Sequence, residues 1–331
     1  MSEVERQPEF QVWYRHSGQD EIPEIPSRNT ILETGYNMKT VKDYRAILRN
    51  IRSNYITHMY VNVTNVVPPL EVIAPRLTHL RVYCLEVAER KLDCLEHCKD
   101  LYKLEIYNAK FRMNGFPEVI PKLTSLREII LRSCRVPQLP ESWSSLKNLK
   151  VLYIGGDELT VGYPEVVSSL TTLTDLHLSM FNITELPWSF SSLKNLQVLD
   201  ISWNKFANHQ LPVVVCELTE LVDLDLMKCD LVDLPQSFSR LTKLESLNLS
   251  HNNLKILPPP VYRLTNLRFL TIQVNFELHT LDKAILNLHH LEDLYFDNCP
   301  ALTCPPSDLY PEGIAGIRRY FIERDEADFI E

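Results

Sequence analysis

Glycine is scarce, eight in 331 residues. None forms G-x-x-x-x-G-K-[ST] or G-x-G-x-x-G, which excludes the backbone loops that cradle nucleotide phosphates. H-E-x-x-H and G-x-S-x-G are also missing, so zinc-peptidase and hydrolase-elbow chemistry have no signature here. Positive charge is in deficit: 34 Lys and Arg against 43 Asp and Glu leave a net charge of −9. That balance repels phosphate backbones and offers no broad basic footprint, so nucleic acid is not an expected partner. No apolar run reaches the roughly 18 residues of a membrane span. The opening MSEVERQPEF is charged where a secretory leader needs an apolar core. The expectation is a soluble cytoplasmic protein with no cofactor, and the glycosylation-like Asn62-Val63-Thr64 and Asn182-Ile183-Thr184 carry no weight.

What the chain has is repetition. Length alone would suggest two globular domains, but the pattern L-x-x-L-x-L starts at Ile56, Leu77, Leu101, Leu126, Leu149, Leu173, Leu196, Leu221, Leu244, Leu267 and Leu291. Successive starts lie 21 to 25 residues apart. This is the period of leucine-rich repeats. The fourth and sixth places of every unit are apolar, from Met59 and Val61 to Leu294 and Phe296. Two apart on a strand, they share a face, and the residues beside them point the other way. One unit cannot bury its own apolar face; stacking joins these faces into a common core. The expected fold is α/β: a leucine-rich-repeat solenoid, a curved horseshoe of about eleven units with parallel strands on its concave face and helical caps at its ends.

Two further regularities support the frame. Proline stands nine residues before eight unit starts, at Pro68, Pro117, Pro140, Pro164, Pro187, Pro212, Pro235 and Pro258, where each coil turns back. The ninth place is Asn204, Asn252 and Asn275, or Cys134, Cys229 and Cys299, in six units. Leaving a strand orphans backbone groups, and a small hydrogen-bonding side chain inside the coil satisfies them.

The ends divide accordingly. Residues 1–39 read as a polar extension, with a candidate short strand at Phe10 to Tyr14. Residues 40–55 read as a capping helix, opened by the capping-box-like Thr40-Val41-Lys42-Asp43 and carrying an apolar stripe of Val41, Tyr44, Leu48 and Ile51. The repeats span 56–304. Residues 305–331 read as a C-terminal cap whose Ile314, Ile317, Tyr320 and Phe321 form one helical face, followed by a solvated acidic tail.

Units such as Leu173 to Pro187 and Leu244 to Pro258 resemble the intracellular leucine-rich repeats of Ras-pathway scaffolds, of plant Ras-group-related repeat proteins and of the Scribble and Erbin family. The closing Gly313-Ile314-Ala315-Gly316-Ile317-Arg318-Arg319-Tyr320-Phe321 is similar to the segment ending the repeat array of ROCO-type proteins, here without a GTPase motif. The resemblance implies binding to signalling proteins, small GTPases and phosphatases among them. Three readings compete: a non-catalytic scaffold or adaptor, a regulatory subunit recruiting a small GTPase or phosphatase, and an enzyme with an unmarked site. The first is the leading one, as a monomer.

One cluster has a metal-like composition: Cys84, Cys94, His97 and Cys98. Their spacing is not the paired short spacing of zinc loops, so ordinary thiols are the plainer reading. The doublet His289-His290 reads as a loop pair, and Cys299 with Cys304 as thiols, because a reducing compartment disfavours a bridge.

The free strand face is the expected docking surface. Met180, Trp203 and Met227 are read as rim residues of three consecutive units, beside Asp175, Asp200, Asp223 and Asp225, with Tyr153, His177 and Arg132 nearby. Exposed Trp and Met ringed by charge mark an interface anchor; the bland alternative folds Trp203 over its own loop. A partner with a basic patch and an apolar anchor fits this set. The earlier units present Tyr60, Arg81, Tyr83, Lys103, Tyr107, Arg127, Arg132 and Lys150, read as a positive aromatic patch or as charges that merely keep the face wet.

Overall fold

The computed structural model describes residues 10–14, 30–34, 56–63, 77–84, 93–109, 111, 116–134, 136, 139–155 and 162–328; of these, 10–14, 30–34, 56–63, 84, 93–94, 307–308, 310 and 325–328 are described in backbone only. The chain divides into two compact units, Met1–Asp157 and Glu158–Glu331.

In the first unit, parallel strands follow one another in sequence order: β1 (Phe10–Tyr14), β2 (Thr30–Thr34), β3 (Ile56–Val63), β4 (His79–Cys84), β5 (Lys103–Tyr107), β6 (Glu128–Arg132) and β7 (Val151–Ile154). The sheet therefore starts two strands ahead of the first unit legible at Ile56. Phe10–Tyr14 and Thr30–Thr34 are rich in aromatic and β-branched residues, yet they carry no L-x-x-L-x-L frame to reveal that they belong to the stack. The capping helix expected over 40–55 lies outside the described residues. The second unit has the same architecture, with β8 (Asp175–His177), β9 (Val198–Asp200), β10 (Asp223–Asp225), β11 (Ser246–Asn248), β12 (Phe269–Thr271) and β13 (Asp293–Tyr295), each parallel to the next.

The register shows how the repeat becomes a core. Leu176, Leu199, Leu224, Leu247, Leu270 and Leu294 stand side by side at the fourth place and are buried. The sixth-place Leu178, Ile201, Leu226, Leu249, Ile272 and Phe296 form the next buried column. In the first unit Leu80, Leu104, Ile129 and Leu152 do the same. At roughly 1.5–3 kcal/mol per buried side chain, these columns supply the main drive for stacking.

Six of the eight prolines mark the entry to a single 3-10 turn; Pro117 stands three residues ahead of the turn Ile120–Lys122, and Pro68 lies outside the described residues. Pro140, Pro164, Pro187, Pro212, Pro235 and Pro258 precede the turns Glu141–Ser145, Glu165–Ser169, Trp188–Ser192, Val213–Glu217, Gln236–Arg240 and Pro259–Arg263. A fixed φ suits that entry, and the missing N–H is not needed there. Where proline is absent, Asp282 takes its place and accepts the Ala284 N–H at 2.7 Å, capping the turn Lys283–Asn287. Three places past the proline, an apolar residue plugs the coil: Trp143, Val167, Phe190, Val215, Phe238 or Val261.

The ninth-place side chains close the coils. Asn204 Oδ1 accepts the N–H groups of Phe181 and Ile183 at 2.9 and 3.0 Å, while its Nδ2 donates to Leu178 and Ile201 carbonyls at 2.9 Å. Asn252 repeats this with Cys229, Leu231, Leu226 and Leu249. The thiols of Cys134, Cys229 and Cys299 donate to the carbonyls of Ile106, Ile201 and Ile272 at 3.3, 3.3 and 3.4 Å.

At the C-terminus, the helix Gly313–Asp328 buries Ile314, Ile317 and Phe321 against the last coil, as its pattern predicts, with Tyr320 half-buried. Arg318 donates to the Leu288 and Leu291 carbonyls at 2.9 and 3.2 Å and so ties the helix to the last turn. Glu323 is exposed but helical, so the acidic segment continues the cap as far as Asp328.

Candidate functional site

In the second unit, the free face is set by register. His177, Asp200 and Asp225 are direct neighbours on β8, β9 and β10, as are Asp175, Val198 and Asp223 one pleat away. Strands pack about 4.8 Å apart, which brings these carboxylates into adjacent columns. His177 Nδ1 lies 3.5 Å from Asp200 Oδ2.

Part of this acidity is structural. Asp200 Oδ1 accepts the Ser202 N–H at 2.9 Å, Asp225 Oδ1 accepts the Met227 N–H at 2.8 Å, and Asn248 Oδ1 accepts the Ser250 N–H at 3.0 Å. These three fifth-place side chains thus turn their own chain off the strand. The two carboxyls differ in charge balance. Burial raises Asp200, but hydrogen bonds from His177 and Ser202 outweigh it and hold the group below its ordinary range. Burial pushes Asp225 up; the Met227 N–H counters this, and the Asp200 charge adds to it. Asp175 accepts the Thr174 hydroxyl at 2.5 Å.

The eighth place forms the rim, and its backbone is left-handed in every described coil of this unit: Met180, Trp203, Lys228, His251, Val274 and Asn298 have φ between 56 and 60°. Met180, Trp203 and Lys228 N–H groups donate to the carbonyls of Ser202, Met227 and Ser250 at 3.1, 2.8 and 2.9 Å, so the rim is fixed coil to coil. Met227 stands one place earlier and is only half-exposed. The consecutive rim residues are therefore Met180, Trp203 and Lys228, which corrects the grouping read from the sequence. Trp203 is 42% and Met180 40% exposed. The Lys228 Nζ lies 3.5 Å from the centroid of the Trp203 ring. Phe269 and Tyr295 are further exposed aromatics on β12 and β13.

In the first unit, part of the expected positive patch, Arg81 and Lys103, is paired with carboxylates. Glu105, only 2% exposed, lies among Arg81, Lys103 (3.2 Å), His79 (3.4 Å) and the Tyr107 hydroxyl (3.3 Å). Lys103 also meets Glu128 at 2.8 Å. Burial works to raise the Glu105 carboxyl, but His79 and Arg81 overcome it and hold the group far below the usual carboxylate range. Tyr83 stacks on Tyr107 with centroids 4.6 Å apart. Arg132 lies over Tyr153 at 4.4 Å, so these two predicted site residues do meet, in the first unit.

Of the ten residues predicted for the site, Trp203, Met180, Met227, Asp175, Asp200, Asp223, Asp225 and His177 gather on three adjacent coils of the second unit. Sequence reasoning missed Lys228 as the cover of Trp203, Glu105 as a buried anion, and Trp188. The last is 67% exposed on a 3-10 turn, next to a turn carrying exposed Val213. A tryptophan directly after a turn-opening proline was the available signal.

Among the described residues, no cluster of His, Cys, Asp and Glu is arranged to hold a metal. His97 is exposed, 3.6 Å from Glu96, while Cys98 is buried; the Cys84 and Cys94 side chains lie outside the described residues. Cys98, Cys134, Cys216, Cys229, Cys299 and Cys304 are free thiols. Burial pushes the Cys229 thiol up to about 12.

This geometry is similar to that of several solved proteins. A leucine-rich-repeat protein of Leptospira interrogans matches at 20% identity and TM-score 0.59, over 88% of this chain and 87% of its own. An internalin of Listeria monocytogenes matches at 17% and 0.55, over 82% and 80%. The chain has the leucine-rich-repeat fold. The Leucine Rich Repeat family model itself matches residues 243–264, one coil around β11. The plant peptide hormone receptor RGFR1, solved in complex with RGF2, matches this leucine-rich-repeat chain at 18% identity and TM-score 0.51, over 82% of it and 50% of the receptor. No curated protein sequence matches. Among the described residues no helix is long and apolar enough to cross a membrane.

Proposed function

We propose that this chain is a non-catalytic scaffold or adaptor of intracellular signalling, which docks a protein partner on its free strand face. The observation that carries the reading is the rim of the second unit: Trp203 and Met180 stand exposed on hydrogen-bonded backbone beside Asp175, Asp200, Asp223 and Asp225. A rigid aromatic anchor displayed beside fixed charge is what an interface centre needs. The partner presents a basic surface there. A cytoplasmic location is supported by Cys134, Cys229 and Cys299, whose reduced thiols serve as hydrogen-bond donors inside the coils. The likeness of the repeats to Ras-pathway scaffolds makes small GTPases and phosphatases the first partners to screen.

The test is affinity purification from cells with the wild type, Trp203→Ala, Asp200→Lys and, as a control on another surface, Trp188→Ala. Proteins retained by the wild type and by Trp188→Ala, but lost with the two strand-face variants, support the reading. A recovered set unchanged by Trp203→Ala and Asp200→Lys overturns it.

A further inference from the structure

The rim residue Trp203 is not bare. Its ring carries the Lys228 ammonium at 3.5 Å. Among the described residues no carboxylate lies within ion-pair distance of that ammonium, although Asp200, Asp223 and Asp225 belong to the same two coils. Lys228 is exposed, and an exposed cation–π contact is weak enough to exchange. The indole is thus a cation seat with a replaceable occupant.

The carboxylates of these two coils are unequally compensated: Asp200 has His177 at 3.5 Å, whereas no cation lies within ion-pair distance of Asp225 among the described residues. Asp200 and Asp225 are paired directly across neighbouring strands, and each uses one oxygen to accept a backbone N–H. Like charges placed opposite one another destabilise a sheet, and a cation settling between them relieves the repulsion. Asp223, exposed one pleat away, has no ion pair among the described residues.

We propose that the second unit recognises an arginine on an extended basic segment of its protein partner, and that this guanidinium displaces Lys228 from Trp203 while its N–H groups engage the Asp200 and Asp225 carboxylates. Arginine suits the seat better than lysine because its planar group stacks on an indole and forks to carboxylates at the same time, whereas an ammonium is a point charge. Lys228 then acts as an internal competitor that holds the seat until a partner arrives. This inference rests on the strand-face reading above, but it fails separately: a partner anchored on Trp203 by an apolar residue would leave docking intact.

The test is titration of the full chain with a nine-residue peptide of alternating arginine and alanine, against counterparts carrying citrulline or lysine in place of arginine. The arginine peptide is expected to bind tightest. Trp203→Leu weakens it about fivefold, the loss of one cation–π contact, and Trp203→Phe falls between. Lys228→Met strengthens the arginine peptide while leaving the citrulline peptide unaffected. Equal binding of the arginine and citrulline peptides overturns the proposal, as does equal binding of the lysine peptide or indifference to Trp203→Leu. Persistence of the Trp203-dependent partners in the cell purification alongside such a failure would confine the error to the arginine seat.

Discussion

Lys228 holds its ammonium 3.5 Å above the centre of the Trp203 ring. The two occupy the same rim place on consecutive coils, both with left-handed backbone, φ 56 and 58°. The cation thus covers one face of a ring that is 42% exposed. Lys228→Ala should free it: the Trp203 ring resonances shift and broaden, and the indole becomes more accessible to a quencher, without loss of stability. Resonances unchanged by the substitution would show that the contact does not position the ring.

Asn204, like Asn252, is a dense hydrogen-bonding node of the core, accepting two backbone N–H groups and donating to carbonyls on two coils. Asn204→Leu should cost about 3 kcal/mol or more, because it orphans several buried groups at once. Asn204→Cys should cost less, since a thiol occupies the same place at Cys229 and still donates. Denaturant unfolding of both variants checks the order.

Glu105 ties His79, Arg81 and Lys103 into one cluster. Its carboxyl is held below the range it has when unfolded, so folding favours the ionised form. The resulting stability is fully present above the unfolded carboxylate range near pH 4.3 and drains away as pH falls towards the depressed folded value. Glu105→Gln should therefore lose about 2 kcal/mol at neutral pH, and the gap from wild type should narrow in acid. Thermal melts at pH 7 and pH 3 measure both.

Val274 is the misfit of the rim. It is β-branched at φ 59°, a conformation that asparagine adopts readily and valine only at a cost. Val274→Asn should stabilise by about 1 kcal/mol, seen as a melting temperature higher by roughly 2–4 °C. A lower melting temperature would mean that packing of the valine outweighs its backbone strain.

These positions show which features the sequence made legible. The strand core, the proline turns and the Asn or Cys node recur at fixed spacing and involve strong residue preferences, so they could be read one unit at a time. The rim could not. Met180, Trp203, Lys228, His251, Val274 and Asn298 share one backbone conformation without sharing a chemistry, and glycine, the usual marker of left-handed backbone, is absent from all six. That is why the sequence groups Met227 with Trp203 and does not reveal Lys228 as the cover of its ring. The Glu105 cluster was hidden for another reason: His79 and Arg81 belong to the preceding coil, and only stacking brings them to the carboxylate. β1 and β2 lacked the repeat frame altogether.

Docking on the strand face is tested most directly by the affinity of one purified partner for three proteins: the wild type, Trp203→Ala and Trp188→Ala. Both substituted tryptophans are exposed, one on the rim of the sheet and one on a 3-10 turn. Loss of the interface anchor should cost about 2 kcal/mol, roughly thirtyfold in Kd, while Trp188→Ala binds like wild type. Unchanged binding by Trp203→Ala, with loss confined to Trp188→Ala, would place the docking surface on the turns and contradict the account.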